Sequence, residues 1–180
     1  MSRALVIFAE GSEELEAVTL VNILRRGDIE VTLAGLQAGA LRGSRGTQLL
    51  PDVPLDDALA HSYDMVILPG GMPGTTHLRN DARVIKLVQE MARSGKWVAA
   101  ICAAPSVLAA AGLLDDKRAT SYPGCLKDFP QVIVRESAIE QDGRLLTSRG
   151  PGTAMDFALY LLELLAGKTT RQQVESGLVR

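Results

Sequence analysis

The sequence predicts an α/β fold: a mostly parallel sheet covered by helices on both faces. Three observations carry that prediction. Short continuous apolar runs recur along the 180 residues, without the polar alternation that a half-exposed strand would show. The segments between them carry apolar residues at helical spacing. Glycine or another breaker punctuates the junctions.

In chain order, "ALVIFA" (4–9), "EVTLAG" (30–35), "DMVILP" (64–69) and "WVAAI" (97–101) read as strands buried on both faces. The intervening "SEELEAVTLVNILRRG" (12–27), "VPLDDALAH" (53–61) and "DARVIKLVQEMARSG" (81–95) read as helices ending near Gly27, His61 and Gly95. A helix follows residue 102, then the short runs "VIVRES" and "RLLTS", then a long helix opening at "GPGTAMDFALYLLELLAG". Strand–helix alternation of this kind implies a single domain over 1–180, a flavodoxin-like three-layer sandwich. Ligands in such sheets bind at the carboxyl ends of the strands. Here these are the segments after Ala9, Leu68, Ile101 and Ser148.

Composition narrows the partners. The chain is 47% hydrophobic and 22% charged, with a net charge of −2 and scattered basic residues, so nucleic acid is not an expected partner. Two cysteines 23 residues apart make neither a disulfide framework nor a zinc site, and no metal or cofactor is expected. With 4% aromatic residues and no phosphate-cradling glycine motif, a flavin-binding reading is weak. The first apolar run is interrupted by Glu10, too short for a secretory core, and no run approaches the ~20 residues of a membrane span. The expectation is a cytoplasmic protein.

Chemistry concentrates at "AAICAAPSV" (99–107). Cys102 directly follows a strand and directly precedes a helix, with Ala100 and Ala104 two residues to either side. A nucleophile elbow needs such a turn and such small neighbours. Pro105 suits a first helical turn. A buried structural cysteine fits the same position. Bringing a thiol from about 8.5 to about 5.5 takes roughly 4 kcal/mol, of which a helix terminus supplies at most about 2. A second donor is therefore needed. Glu13 and Glu14 are accounted for by the helix dipole and solvent. Glu16 shares a face with Leu20, Ile23 and Leu24, the core-facing stripe. Buried there, it would hold its proton and could donate. The competing reading is a first-turn glutamate curving back to water.

"LPGGMPGTTH" (68–77) is neither a Walker loop nor GxGxxG. Its glycines either form a tight turn or aim backbone N–H groups into a cavity, where Gly71 with the N–H of Ala103 would make an oxyanion pair. "SRGPGT" (148–153) is likewise a helix-start turn or an anion holder. Neither His61 nor His77 has a spacing that predicts a ligand or a base.

Together "AEGSEELEAV", "LPGGMPG", "AAICAAP" and "TSRGPGTAMDFAL" resemble the DJ-1/PfpI superfamily, on its DJ-1 branch, in order over nearly the whole chain. The resemblance implies a homodimer, with Cys102 as the oxidisable nucleophile and Glu16 as the protonated acid bonded to it. It implies Gly71 and Ala103 as backbone donors, Gly70 and Tyr122 in the surrounding shell, and Arg45 as an arginine reaching the partner subunit's site. The implied activity is glutathione-independent glyoxalase or deglycase chemistry on methylglyoxal, glyoxal, or their protein and nucleotide adducts. The alternative is a redox-sensing stress chaperone whose Cys102 is oxidised without turnover. Two departures matter. Tyr122 stands where human-like members carry a histidine, which puts fast proton shuttling in doubt. Ala103 stands where PfpI-type members carry a histidine, which makes a protease reading poor. Cys125 has no counterpart and reads as a partly buried free thiol.

Overall fold

The computed structural model describes residues 1–180. The chain opens with β1 (Arg3–Phe8), α1 (Glu14–Arg26) and β2 (Glu30–Gly35). A small hairpin, β3 (Leu41–Arg42) and β4 (Gln48–Leu49), leads to β5 (Val53–Pro54) and α2 (Leu55–Ala58). Then come β6 (Met65–Leu68), α3 (Gly74–Asn80), α4 (Ala82–Arg93), β7 (Trp97–Ile101) and α5 (Pro105–Ala110). The last third holds β8 (Arg118–Ala119), β9 (Ile133–Val134), β10 (Ile139–Asp142), β11 (Leu145–Ser148) and α6 (Ala154–Gly177).

Seven strands form one sheet in the order β10-β11-β7-β6-β1-β2-β5. All neighbours are parallel except β10, which pairs antiparallel with β11. Alternate residues of β1 serve opposite layers. Ala4, Val6 and Phe8 pack with α1 and α6 through Leu20, Ile23, Leu24, Phe157 and Leu161. Leu5 and Ile7 pack with α4 and α5 through Val84, Val88, Val107 and Leu108. Each fully buried side chain of this size contributes roughly 1.5–3 kcal/mol, so the two layers fix the sheet from both sides.

The topology also places the site. From β1 the chain moves outward to β2 and β5, then returns to the other flank of β1 at β6 and continues to β7 and β11. The connections diverge between β1 and β6. In open α/β sheets the carboxyl ends of the strands at such a switch point are where ligands bind.

Several local expectations are corrected. The helix expected over 53–61 is a two-residue edge strand plus the four-residue α2. Pro54 lacks an N–H and so suits an edge position, and the pair Ala34–Val53 extends the sheet instead. The end of the glycine loop is helical, because α3 begins at Gly74. The run "VIVRES" contributes only Ile133–Val134, which pairs with β8 outside the main sheet, while the edge strand β10 lies in a segment with no apolar run. The long terminal helix is broken at Gly167 (φ 86°, ψ 165°), where the expected apolar run ends.

Candidate functional site

Cys102 is the first residue after β7 and is 7% exposed. Its φ is 65°, in the left-handed region that costs a non-glycine residue about 1–2 kcal/mol. Two long-range hydrogen bonds hold it there. Its N–H donates to the Ser148 carbonyl at 2.9 Å, and its carbonyl accepts from the Tyr122 N–H at 2.7 Å. The small neighbours Ala100 and Ala104 are fully buried. α5 starts three residues later but is only six residues long, so its dipole is weak. Direct donors act as well: the backbone N–H groups of Gly71 and Ala103 stand beside the sulfur and lower its pKa, against the larger effect of burial.

Glu16 is fully buried on the same stripe as Leu20, Ile23 and Leu24. The reading in which it curves back to water is ruled out. Its Oε2 accepts from the Gly70 N–H at 2.7 Å. Its Oε1 is buried with no well-directed hydrogen bond, and the Cys102 thiol is the group that couples to the carboxyl. Burial pushes the Glu16 carboxyl up to about 7, with the nearby Glu13 charge adding to the rise, against the lowering effect of Gly70 and Cys102. Burial also pushes the Cys102 thiol up, to about 12 when a charged Glu16 stands beside it. The depressed thiol required by the sequence argument therefore does not coexist with a Glu16 carboxylate. Two acids in this contact share one negative charge, and they titrate as a pair.

Gly70 joins these residues. A side chain at this position would stand 2.6 Å from Cβ of Cys102, 2.8 Å from the Ala103 nitrogen and 2.9 Å from the Ile101 carbonyl. Gly71, with φ 86°, has no room either, against the backbone of Ser12 and Glu13. The Glu13 N–H donates to the Gly70 carbonyl at 2.8 Å, tying the loop after β6 to the start of α1.

The remaining predicted residues lie further out. Arg45 sits in the β3–β4 loop with its side chain 82% exposed, 3.8 Å from Glu13 and making no contact with Cys102 of its own chain. Tyr122 reaches Cys102 through its backbone only; its side chain is half exposed beside Gly150. Cys125 is a partly buried free thiol, pushed up by burial. The "SRGPGT" turn uses its own donors: the Gly150 N–H and the Ser148 hydroxyl are both engaged with the Thr153 hydroxyl.

Glu13 and Glu14 require a correction. Dipole and solvent do not account for them, since they are 7% and 8% exposed. Ser44 Oγ donates to Glu13 at 2.7 Å, and the N–H groups of Arg45 and Thr47 donate to Glu14 at 3.0–3.1 Å. The two acids anchor the loop that carries Arg45. Nothing local in the sequence signals this, because the donors arrive from a hairpin some thirty residues away. No cluster of His, Cys, Asp and Glu suited to a metal forms anywhere in the chain, and no helix is long and apolar enough to cross a membrane.

Comparison with known proteins matches this arrangement to one family. The DJ-1/PfpI family model matches residues 2–164. Protein dj-1beta of Drosophila melanogaster is 43% identical over 98% of this chain and 96% of its own. Its crystal structure superposes with a TM-score of 0.96, covering 99% of this chain and 98% of that one. The structure of oxidised Toxoplasma gondii DJ-1 is 34% identical, with a TM-score of 0.95, covering 99% and 98%. The glutathione-independent glyoxalase DJR-1.2 of Caenorhabditis elegans is 32% identical over 92% of this chain and 89% of its own. The sheet, the turn at Cys102 and these likenesses over nearly the full length converge: the chain belongs to the DJ-1/PfpI family.

Proposed function

We propose that this protein is a cofactor-free, cysteine-dependent glyoxalase or deglycase-type enzyme. Its substrates are methylglyoxal, glyoxal or the early adducts that these form with thiols and amines. The observation that carries the reading is the buried orphan oxygen of Glu16 beside the Cys102 thiol. A carboxyl in that position acts as a proton store next to a nucleophile. The similarity to a named glutathione-independent glyoxalase supports the same chemistry.

With Glu16 raised to about 7 and Cys102 to about 12, the pair's single negative charge rests on the carboxylate, and the reactive thiolate forms when Glu16 takes the thiol proton. The N–H groups of Gly71 and Ala103 beside the sulfur favour that transfer. The Cys102 thiolate adds to the aldehyde carbon of methylglyoxal, and the carbonyl π pair moves to oxygen. On addition the sulfur loses its charge, and the N–H groups of Gly71 and Ala103 turn to the new oxyanion. Glu16 protonates that oxygen, then as a carboxylate removes the proton on the same carbon and returns it to the neighbouring one, while the hydroxyl proton passes from the first oxygen to the second. The first carbon is oxidised by two electrons and the second reduced by two. Water cleaves the resulting thioester, releasing lactate and the thiol. Tyr122 presents no histidine to assist, so Glu16 carries the proton transfers alone.

The test is lactate formation from methylglyoxal without glutathione. Wild type should produce it, and Cys102→Ser and Glu16→Ala should lose it. Variants as active as wild type would sink the proposal.

A second reading has its own support. A protonated Glu16 could donate to an oxygen on an oxidised sulfur, and the likeness extends to an oxidised relative. In that reading Cys102 reports peroxide without turnover. Mass spectrometry after mild peroxide should find Cys102 oxidised before Cys125. In both readings the protein works as a homodimer. Leu15 and Val18 on α1 and Leu50 after β4, exposed by 51%, 46% and 75%, are apolar side chains that a second copy would cover. Arg45 lies on the β3–β4 loop that leads to Leu50. Both cysteines are free, which suits a reducing cytoplasm.

A further inference from the structure

Nineteen lysines and arginines are present. Thirteen have an ion pair, a side-chain hydrogen bond or an aromatic partner. Three of the six without one, Lys127, Arg135 and Arg149, line a single cleft of about 250 Å³. Glu136 is the one acid in its lining, which leaves the cleft with an excess of two positive charges.

The cleft adjoins the reactive cysteine through the main chain. The Cys102 N–H is bonded to Ser148, and the next residue, Arg149, lines the cleft. The Cys102 carbonyl is bonded to Tyr122, and the residues on either side of it, Ser121 and Pro123, line the cleft as well. Unpaired cations converging on a concavity raise the local concentration of anions. Guanidinium groups also match the oxygens of a carboxylate or phosphate. We infer that this cleft is an anion subsite, which holds the carboxylate or phosphate of a carbonyl substrate whose aldehyde reaches Cys102. The inference rests on the proposed reactivity of Cys102 toward carbonyls, and it adds a substrate class: negatively charged carbonyl compounds.

The test needs no turnover. Cys102 is alkylated with iodoacetate, an anion, and with iodoacetamide, its neutral analogue of similar size. Lys127→Glu and Arg135→Glu should each lower the iodoacetate-to-iodoacetamide rate ratio by about tenfold, the lower end of electrostatic steering. The iodoacetamide rate should stay unchanged. Lys168→Glu is the control, because it lies past the Gly167 break near Leu165, whose carbonyl binds Ser2 at the amino end of the sheet. It should move the ratio by less than twofold. The inference is overturned if the ratio is unchanged in both cleft variants, if Lys168→Glu lowers it equally, or if both reagents slow together. Titration of wild type with inorganic phosphate or with acetate, followed by amide NMR at constant ionic strength, gives a second readout. Saturable shifts at residues 121–127, 135 and 149 support the subsite, and the tighter anion identifies phosphate or carboxylate as the preferred group. Shifts that are absent or scattered overturn it. An altered alkylation ratio in a protein that forms no lactate would sink the catalytic reading and leave the subsite standing.

Discussion

Glu14 and Glu16 stand two residues apart on α1, both buried, and their ionisation is driven in opposite directions. Burial raises both. Glu14 also accepts from its own N–H and from those of Arg45 and Thr47, and its carboxyl ends up below the ordinary range. Glu16 accepts from the Gly70 N–H alone and keeps one oxygen orphaned, and it rises to about 7. Depth and the supply of donors together decide whether a glutamate here is an anchor or an acid. The same helix thus fastens a loop with one carboxylate and stores a proton with another.

The largest expected effect separates their roles in activity. Glu16→Leu should reduce lactate formation by roughly 10²–10⁴-fold, the usual scale for losing a positioned acid–base group, with the smaller loss of folding stability, because it strands only the Gly70 N–H and removes an orphaned polar atom. Glu14→Leu should do the reverse. It strands the N–H groups of Arg45 and Thr47, at about 1–3 kcal/mol each, and should lower the Tm while retaining most activity. If denaturation shows Glu16→Leu to be the less stable of the two, the comparison fails.

Next in size is the dependence of stability on pH. Glu16 binds its proton more tightly folded than unfolded, so the native state holds more protons between 4.5 and about 7. Its contribution is most favourable below 4.5 and is lost as pH rises through 7, on the order of 3 kcal/mol at about 1.4 kcal/mol per tenfold in proton affinity. Glu14 has the opposite sign: its contribution is present above 4.5 and is lost as pH falls through its lowered value. Glu16→Gln should flatten the stability curve between 4.5 and 7, and Glu14→Gln should flatten it below 4.5. Chemical denaturation across this pH range checks both.

A subtler measurement locates the pair's charge. Iodoacetamide alkylation of Cys102 against pH should show its midpoint shifted downward in Glu16→Leu, because the neighbouring carboxylate that raises the thiol is gone. An upward shift would place the charge on sulfur, with Glu16 as its proton donor. The smallest effect belongs to Arg45→Ala. With an exposed guanidinium 3.8 Å from Glu13, it should change stability by less than about 1 kcal/mol, and a larger fall in Tm would mean that Arg45 has a firmer partner.

The sequence disclosed these residues unevenly. The strands β1, β2, β6 and β7 were legible because burial on both faces writes a continuous apolar run. Glu16 was legible because a charge on an apolar stripe is anomalous. Glu14 was not, since its partners come from the β3–β4 loop and no periodicity links the two segments. The 53–61 segment misled because its helical spacing competed with a sheet edge that only tertiary structure supplies. The direction of the Cys102 shift was also beyond the sequence: it depends on whether Glu16 is charged, a property of the pair.

Gly70 contributes no side chain, yet its N–H holds Glu16 and its bare α-carbon lets Cys102 approach. In a saturation library screened for activity, this position should tolerate no other residue and would rank with the nucleophile itself. Deep mutational data on such a protein would therefore flag as catalytic a residue that reacts with nothing. Engineering of new substrate scope should leave it fixed and vary the walls beyond Arg149 and Tyr122 instead.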